Sequence, residues 1–212
     1  MAHDPSRPAR RRLITGAAAL AASAALTPLT AAAAAARKPA PRGGGGGYPP
    51  VQWVPASPSN FTAANRPTQY PINMVVVHVT QETYKDTLRL FQDPAHKAAA
   101  HYVVRSADGH LAQCVKERDV AWHAGNWGFN TRSIGIEHEG WIDDPTWFTD
   151  VLYERSAQLT AAVCARYRIP VDRAHIIGHV EVPGTDHHDP GEYWDWARYM
   201  ELVVEASWQH TG

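Results

Sequence analysis

Two histidines stand at strand ends where an apolar side chain is the usual occupant. His78 stands near the end of the run Met74-Val75-Val76-Val77-His78-Val79, and His179 follows Ile176-Ile177-Gly178. A buried ring nitrogen without a partner costs roughly 1–3 kcal/mol. Each histidine must therefore be hydrogen-bonded in the core or serve as a ligand. The loop Pro183-Gly184-Thr185-Asp186-His187-His188-Asp189-Pro190-Gly191 supplies further donors. Two strand-end histidines and one such loop suit zinc, which commonly takes three N or O ligands from the protein and leaves a fourth position for water. Spacing alone leaves the third ligand open among the loop residues.

A carboxylate joins this group by pattern. In Ser133-Ile134-Gly135-Ile136-Glu137-His138-Glu139-Gly140, a period of two puts Glu137 and Glu139 on one face and Ile136 and His138 on the other. Beside metal candidates, Glu137 is a candidate general base. The stretch Trp122-His123-Ala124-Gly125-Asn126-Trp127 mixes aromatic faces, an imidazole and an amide. Such groups suit sugar and peptide recognition, though two tryptophans packed on a domain edge account for it equally well.

These residues need a scaffold. Met74–Val79 is β-branched with polar flanks and reads as a strand buried on both faces, with Met74, Val76, His78 and Thr80 on one side. Tyr84, Leu88 and Phe91 recur at helical spacing, and Asp93-Pro94 stops the helix. The runs 101–105 and 111–116 flank Ala107-Asp108-Gly109-His110, a hairpin signal. Residues 133–140 form another strand. Leu152, Ser156, Leu159, Val163 and Tyr167 lie on one face of a long helix that Pro170 ends. Residues 175–179 make a last short strand, and Trp194 to Ala206 a closing helix. Interleaved strands and helices with one hairpin predict an α/β domain, a mixed central sheet with helices packed on it.

The N-terminus reads as an address. Arg10, Arg11 and Arg12 precede Leu13 and Ile14, an Ala-rich middle follows, and Thr30 to Ala36 offers small-residue cleavage registers. Residues 1–36 are expected to be an export signal of twin-arginine type, too weakly apolar for a stable membrane span. Secretion follows from that expectation. Residues 37–55, with Gly43 to Gly47 and several prolines, are expected to be a linker. The folded domain is expected over 56–208.

Composition narrows the function. The chain has 212 residues, 20 basic and 21 acidic, a net charge of −1. Residues 1–36 hold four of the arginines and one aspartate, so the remainder carries 16 basic against 20 acidic residues, net −4. A nucleic-acid binder would carry a basic excess. A monomer is expected. Two cysteines, Cys114 and Cys164, rule out a disulfide scaffold and a multi-cysteine zinc module. Export would permit a bond between them, yet a strand and a buried helix face suit two separate thiols equally.

Taken in order, Val76-Val77-His78-Val79-Thr80, Ala100-His101-Tyr102-Val103-Val104, Ala121-Trp122-His123-Ala124-Gly125, Ser133-Ile134-Gly135-Ile136-Glu137, Gly178-His179 and Asp189-Pro190-Gly191 resemble the zinc-dependent N-acetylmuramoyl-L-alanine amidases. That group includes phage amidases and peptidoglycan-recognition proteins. The resemblance implies zinc held by His78, His179 and Asp189, with Glu137 as catalytic base. It implies that His187, where many members have lysine, helps hold the oxyanion. His101 takes the place of a catalytic tyrosine, with Tyr102 beside it in reserve. Trp122, His123, Asn126 and Trp127 are expected to bind substrate. The implied substrate is peptidoglycan or a muropeptide, cut between N-acetylmuramic acid and L-alanine. A module of the same fold that binds the wall without cutting it is the alternative, but such a module needs neither metal nor base.

Overall fold

The computed structural model describes residues 47–210. The export signal expected over 1–36 and the linker up to residue 46 lie outside the described residues. The described strands are β1 (Gln52–Trp53), β2 (Phe61–Thr62), β3 (Met74–Val79), β4 (Tyr102–Val104), β5 (Leu111–Gln113), β6 (Val120–Ala121), β7 (Ser133–His138) and β8 (Ile176–Gly178); β3, β4, β5, β7 and β8 form in the runs that the sequence predicts, and the two-residue β1, β2 and β6 are additional. Helices α1 (Tyr84–Gln92), α2 (Trp127–Arg132), α3 (Asp150–Tyr167) and α4 (Trp196–Ser207) come between and after them. Six strands make a mixed sheet in the order β1-β5-β4-β7-β3-β8, while β2 and β6 pair separately. The β4–β5 hairpin is antiparallel, and its turn uses Gly109 at φ 66°, a left-handed conformation that glycine adopts without strain. The α/β architecture is the one that the residue pattern predicts.

The sheet has two different faces. Val75, Val77, Val79, Ile134 and Ile136 point to one side and pack with Leu152, Leu159, Val163, Tyr199 and Val203 of α3 and α4. Met74 and Val76 point to the other and meet Ala124, Ile177 and Val182. On that second side α1 contributes Tyr84 and Phe91 to a cluster with Val103 and Ala112. Alternation along β3 puts His78 on the second side. All six residues of β3 are buried, which explains a run without polar alternation.

Caps fix the helix ends. Thr83 starts α1 by accepting from Asp86 N, and Thr149 starts α3 by accepting from Leu152 N. The long helix ends at Tyr167, because Arg168 takes the left-handed conformation at φ 57°; Pro170 lies just beyond. The folded part also starts earlier than residue 56. Gln52 and Trp53 extend the sheet beside β5, and Tyr48 Oη donates to Glu117 Oε1 at 2.8 Å. Two residues are too short a run to stand out from a Pro-rich context. Cys114 and Cys164 are both free and buried, in separate core clusters. Among the described residues no helix is long and apolar enough to cross a membrane.

Candidate active site

Three neighbouring parallel strands deliver the chemistry at their C-terminal ends. His78 is next to last in β3, Glu137 next to last in β7, and His179 follows β8 directly. Open α/β sheets present ligand sites at such ends. The loop after β8 returns Asp189 to the same spot. Asp189 Oδ2 lies 3.2 Å from His78 Nδ1, and Oδ1 lies 3.1 Å from His179 Nδ1. Each of the three residues is buried and offers one ligand atom, all within 4.8 Å of one another. Val79 N donates to Asp189 Oδ2 at 3.3 Å, which ties the loop to the strand.

The donor set fits zinc: two imidazole nitrogens and one carboxylate, at a cavity wall. Burial works against a charged Asp189, but the imidazoles of His179 and His78 beside it outweigh that and hold its pKa below the usual carboxylate range. Burial lowers the pKa of His78 and favours the neutral ring that a metal needs. His179 Nε2 is buried without a hydrogen-bond partner.

Glu137 lies in register with His78 on the adjacent strand. Its Oε2 is sealed and unpartnered. Burial, and then the negative charge of Asp189, push its pKa well above that of an ordinary glutamate. A carboxyl with a raised pKa is a better proton acceptor than an ordinary glutamate and can hand the proton on. Glu139, two residues on, does something else. It accepts from Tyr84 N and Ser106 N, both at 2.8 Å, and so anchors the start of α1.

The metal candidates and Glu137 line a cavity of about 740 Å³. Trp122, His123 and Trp127 line it too, as do Phe91, His96 and Lys97. Trp122 is fixed by its Nε1–H to Thr62 Oγ1 (2.9 Å), while Trp127 is 52% exposed. His187 also faces the cavity. Its ring stacks on that of His179 at 4.2 Å between centroids, and its side chain stays 60% exposed. His188 is exposed and does not line the cavity.

Two expected site residues are used differently. His101 is fully buried behind His123, off the cavity. Its Nδ1 accepts from Gly135 N at 3.0 Å, and its Nε2 lies 2.6 Å from Arg66 Nη2 and 3.3 Å from Asp119 O. Burial and the Arg66 charge push its pKa far down. It is packed in the core and does not line the cavity, so the place expected of it beside the substrate is not where the fold puts it. Tyr102, the reserve, points to the opposite face and donates to Glu117 Oε1 at 2.9 Å. Asn126 caps α2, accepting from Phe129 N, and gives its amide to Pro183 O at 3.1 Å. It lies off the cavity and joins the two loops beside it. The capping preference of asparagine was the available signal for that role.

Sequence reasoning missed Arg66, Asn130 and Ser133. Arg66 is 3% exposed and donates to the carbonyls of Glu117, Asn130, Thr131 and Ser133. It holds together the loops that carry the cavity wall. A lone arginine in a polar stretch gives no such signal.

Residues 68–192 match the family described as N-acetylmuramoyl-L-alanine amidase. The chain belongs to this family. It is 32% identical over 168 residues to N-acetylmuramoyl-L-alanine amidase A of Achromobacter lyticus, covering 71% of this chain and 92% of that one. It is 37% identical over 114 residues to the 1,6-anhydro-N-acetylmuramyl-L-alanine amidase AmpD of Haemophilus influenzae, covering 50% and 59%. The crystal structure of a selenomethionine AmpD derivative superposes with a TM-score of 0.62 at 28% identity, over 74% of this chain and 97% of that one. Staphylococcus aureus hydrolase AmiA, solved with its ligand, gives 0.62 at 20% identity over 76% and 84%, a likeness of fold. The residues that the resemblance singles out, His78, His179, Asp189 and Glu137, all line the one cavity.

Proposed function

We propose that this peptidoglycan amidase is an exported, zinc-dependent hydrolase of the bond between the lactyl group of N-acetylmuramic acid and L-alanine. The observation that carries the reading is the convergence of His78, His179 and Asp189 beside half-buried Glu137, whose Oε2 has no partner. His78, His179 and Asp189 would hold the metal. Zinc, when bound, supplies Lewis acidity for an amide carbonyl and for water.

The remaining work falls to the chain. Glu137 takes the proton of the attacking water on its carboxylate and returns it to the leaving nitrogen of L-alanine. An amide leaves poorly as an anion, so this second transfer matters as much as the first. His187 donates an N–H to the oxygen that gains charge in the tetrahedral state, and one such donor is typically worth about 2.7–4 kcal/mol. Trp122 and Trp127 offer aromatic faces to the sugar and the peptide. A module that only binds wall fragments has no use for Glu137 in this setting.

Export is proposed from residues 1–36, on their basic opening, Ala-rich middle and small-residue end. Replacing Arg10 and Arg11 by lysine should retain the protein in the cytoplasm, and unchanged secretion would exclude the twin-arginine route. The hydrolytic reading is tested by dye release from labelled peptidoglycan with and without a chelator. Release should stop with the chelator and return with Zn²⁺; release that ignores the chelator overturns the metal.

A further inference from the structure

We infer that His123 and Ser133 are positioning residues for the metal: they fix the proton of His78 on Nε2 and so turn its Nδ1 lone pair toward the ion. The inference rests on the zinc reading above.

One chain of contacts fixes where each proton sits. Ser133 Oγ donates to Phe129 O at 2.6 Å. A hydroxyl has one proton, and that contact uses it. His123 Nε2, 3.1 Å from Ser133 Oγ, must then be the donor there. A neutral imidazole carries one N–H, so His123 Nδ1 is left as a bare acceptor. His78 Nε2 lies 2.9 Å from it and supplies the proton. The same rule leaves His78 Nδ1 with only a lone pair. That atom faces Asp189 Oδ2 at 3.2 Å. Two acceptors face one another, an arrangement that a cation satisfies on both sides.

The surroundings are built for this ring. His123 is 8% exposed. It lies on Gly135, where a Cβ would come within 2.5 Å of His123 Cγ. Any larger residue at position 135 would displace the ring from this place. Asn130 Oδ1 accepts from His123 N at 3.1 Å and from Ala124 N at 2.8 Å, so the backbone is held as well. A ligating histidine commonly gives its second N–H to a carboxylate or a carbonyl. Here a neutral histidine accepts it, and no further negative charge is placed near the ion. His123 is expected from the sequence to bind substrate; it lines the cavity, but both of its ring nitrogens have partners.

Two measurements on the full chain test this. In protein stripped of metal, long-range ¹H–¹⁵N correlation spectra should show His78 and His123 both protonated on Nε2. A proton on Nδ1 of either ring overturns the inference. The second measurement titrates Zn²⁺ alone against a chromogenic chelator. Ser133→Ala and His123→Ala should weaken binding roughly 10–100-fold with unchanged circular dichroism. His123→Asn, whose amide oxygen replaces the acceptor, should recover part of the loss. If the unmodified chain binds no Zn²⁺, the zinc reading fails and takes this inference with it. If it binds Zn²⁺ and folded Ser133→Ala binds it equally well, only the positioning role fails. Should neither alanine variant fold, the tautomers of the unmodified chain decide.

Discussion

His78 and Glu137 are paired in the register of β3 and β7, so a candidate metal ligand and a candidate base differ by one strand spacing and share a sheet face. The backbone ladder, not a flexible loop, sets their separation. Glu137→Gln keeps the size and most of the packing but removes the proton acceptor. The variant should bind Zn²⁺ as the parent does and lose about 10²–10⁴-fold in kcat. Turnover equal to the parent's would remove Glu137 from the mechanism.

Asp189 links both histidines and also accepts from Val79 N. Asp189→Ala should therefore lower zinc content to well below one ion per chain, read by elemental analysis after dialysis. A fully metallated variant would move the third ligand to His187 or His188. The exposure of His188 argues against that outcome.

His187 sits over His179 with its side chain largely in solvent. If it supplies a hydrogen-bond donor to the developing oxyanion, His187→Ala should cost roughly 10²-fold in kcat with little change in KM. His187→Lys should be tolerated, since lysine also donates and is always cationic near neutrality. Equal kcat for the alanine variant would leave His187 as a spectator.

The sequence was most informative where a residue broke its local pattern. His78 and His179 interrupt apolar strands, Glu137 interrupts another, and Asp189 ends a polar loop at a Pro-Gly turn. Each departure needs a local reason, and the four reasons turn out to be one site. Period two also separated Glu137 from His138. It did not separate Glu137 from Glu139 or His101, because alternation tells which face a side chain takes and not how far it lies from the cavity. His101 shares the site face yet is covered by the ring of His123. The roles of Ser133 and Asn130 depend on partners brought near by folding, such as Phe129 O and the backbone of His123. Nothing in residue type announces such contacts. β1, β2 and β6 have no sequence signal because two residues carry no period.

Acid should destabilise the metal-free protein. Burial pulls the pKa of His138 down to about 3, against the effect of its hydrogen bond to His78 O. In the unfolded chain a histidine titrates near about 6.5. Between those values the unfolded chain binds a proton that the folded chain refuses. The contribution of neutral His138 is therefore whole above pH 6.5 and is lost as pH falls toward 3, at up to about 1.4 kcal/mol per pH unit. His101 and His123, also pushed down by burial, act in the same direction. Urea midpoints should fall between pH 7.5 and 5, and a flat profile would mean that these rings are charged in the fold.

Both cysteines should be silent in the native state. Burial pushes the Cys114 and Cys164 thiols up to about 12. Neither should react with a thiol reagent at pH 8 until denaturant is added, when two should react. A bond between them would need their two core clusters to rearrange. Mass spectrometry of the unreduced chain that found one would contradict the packing described.

The most direct test is the mass of the products. Purified peptidoglycan digested by the full chain should yield stem peptides that begin with a free L-alanine amine, and glycan strands whose muramic lactyl groups end in a carboxylate. A chelator should abolish both products, and Zn²⁺ should restore them. Products cut within the peptide or between sugars, or undiminished release from protein shown to be free of metal, would contradict the account.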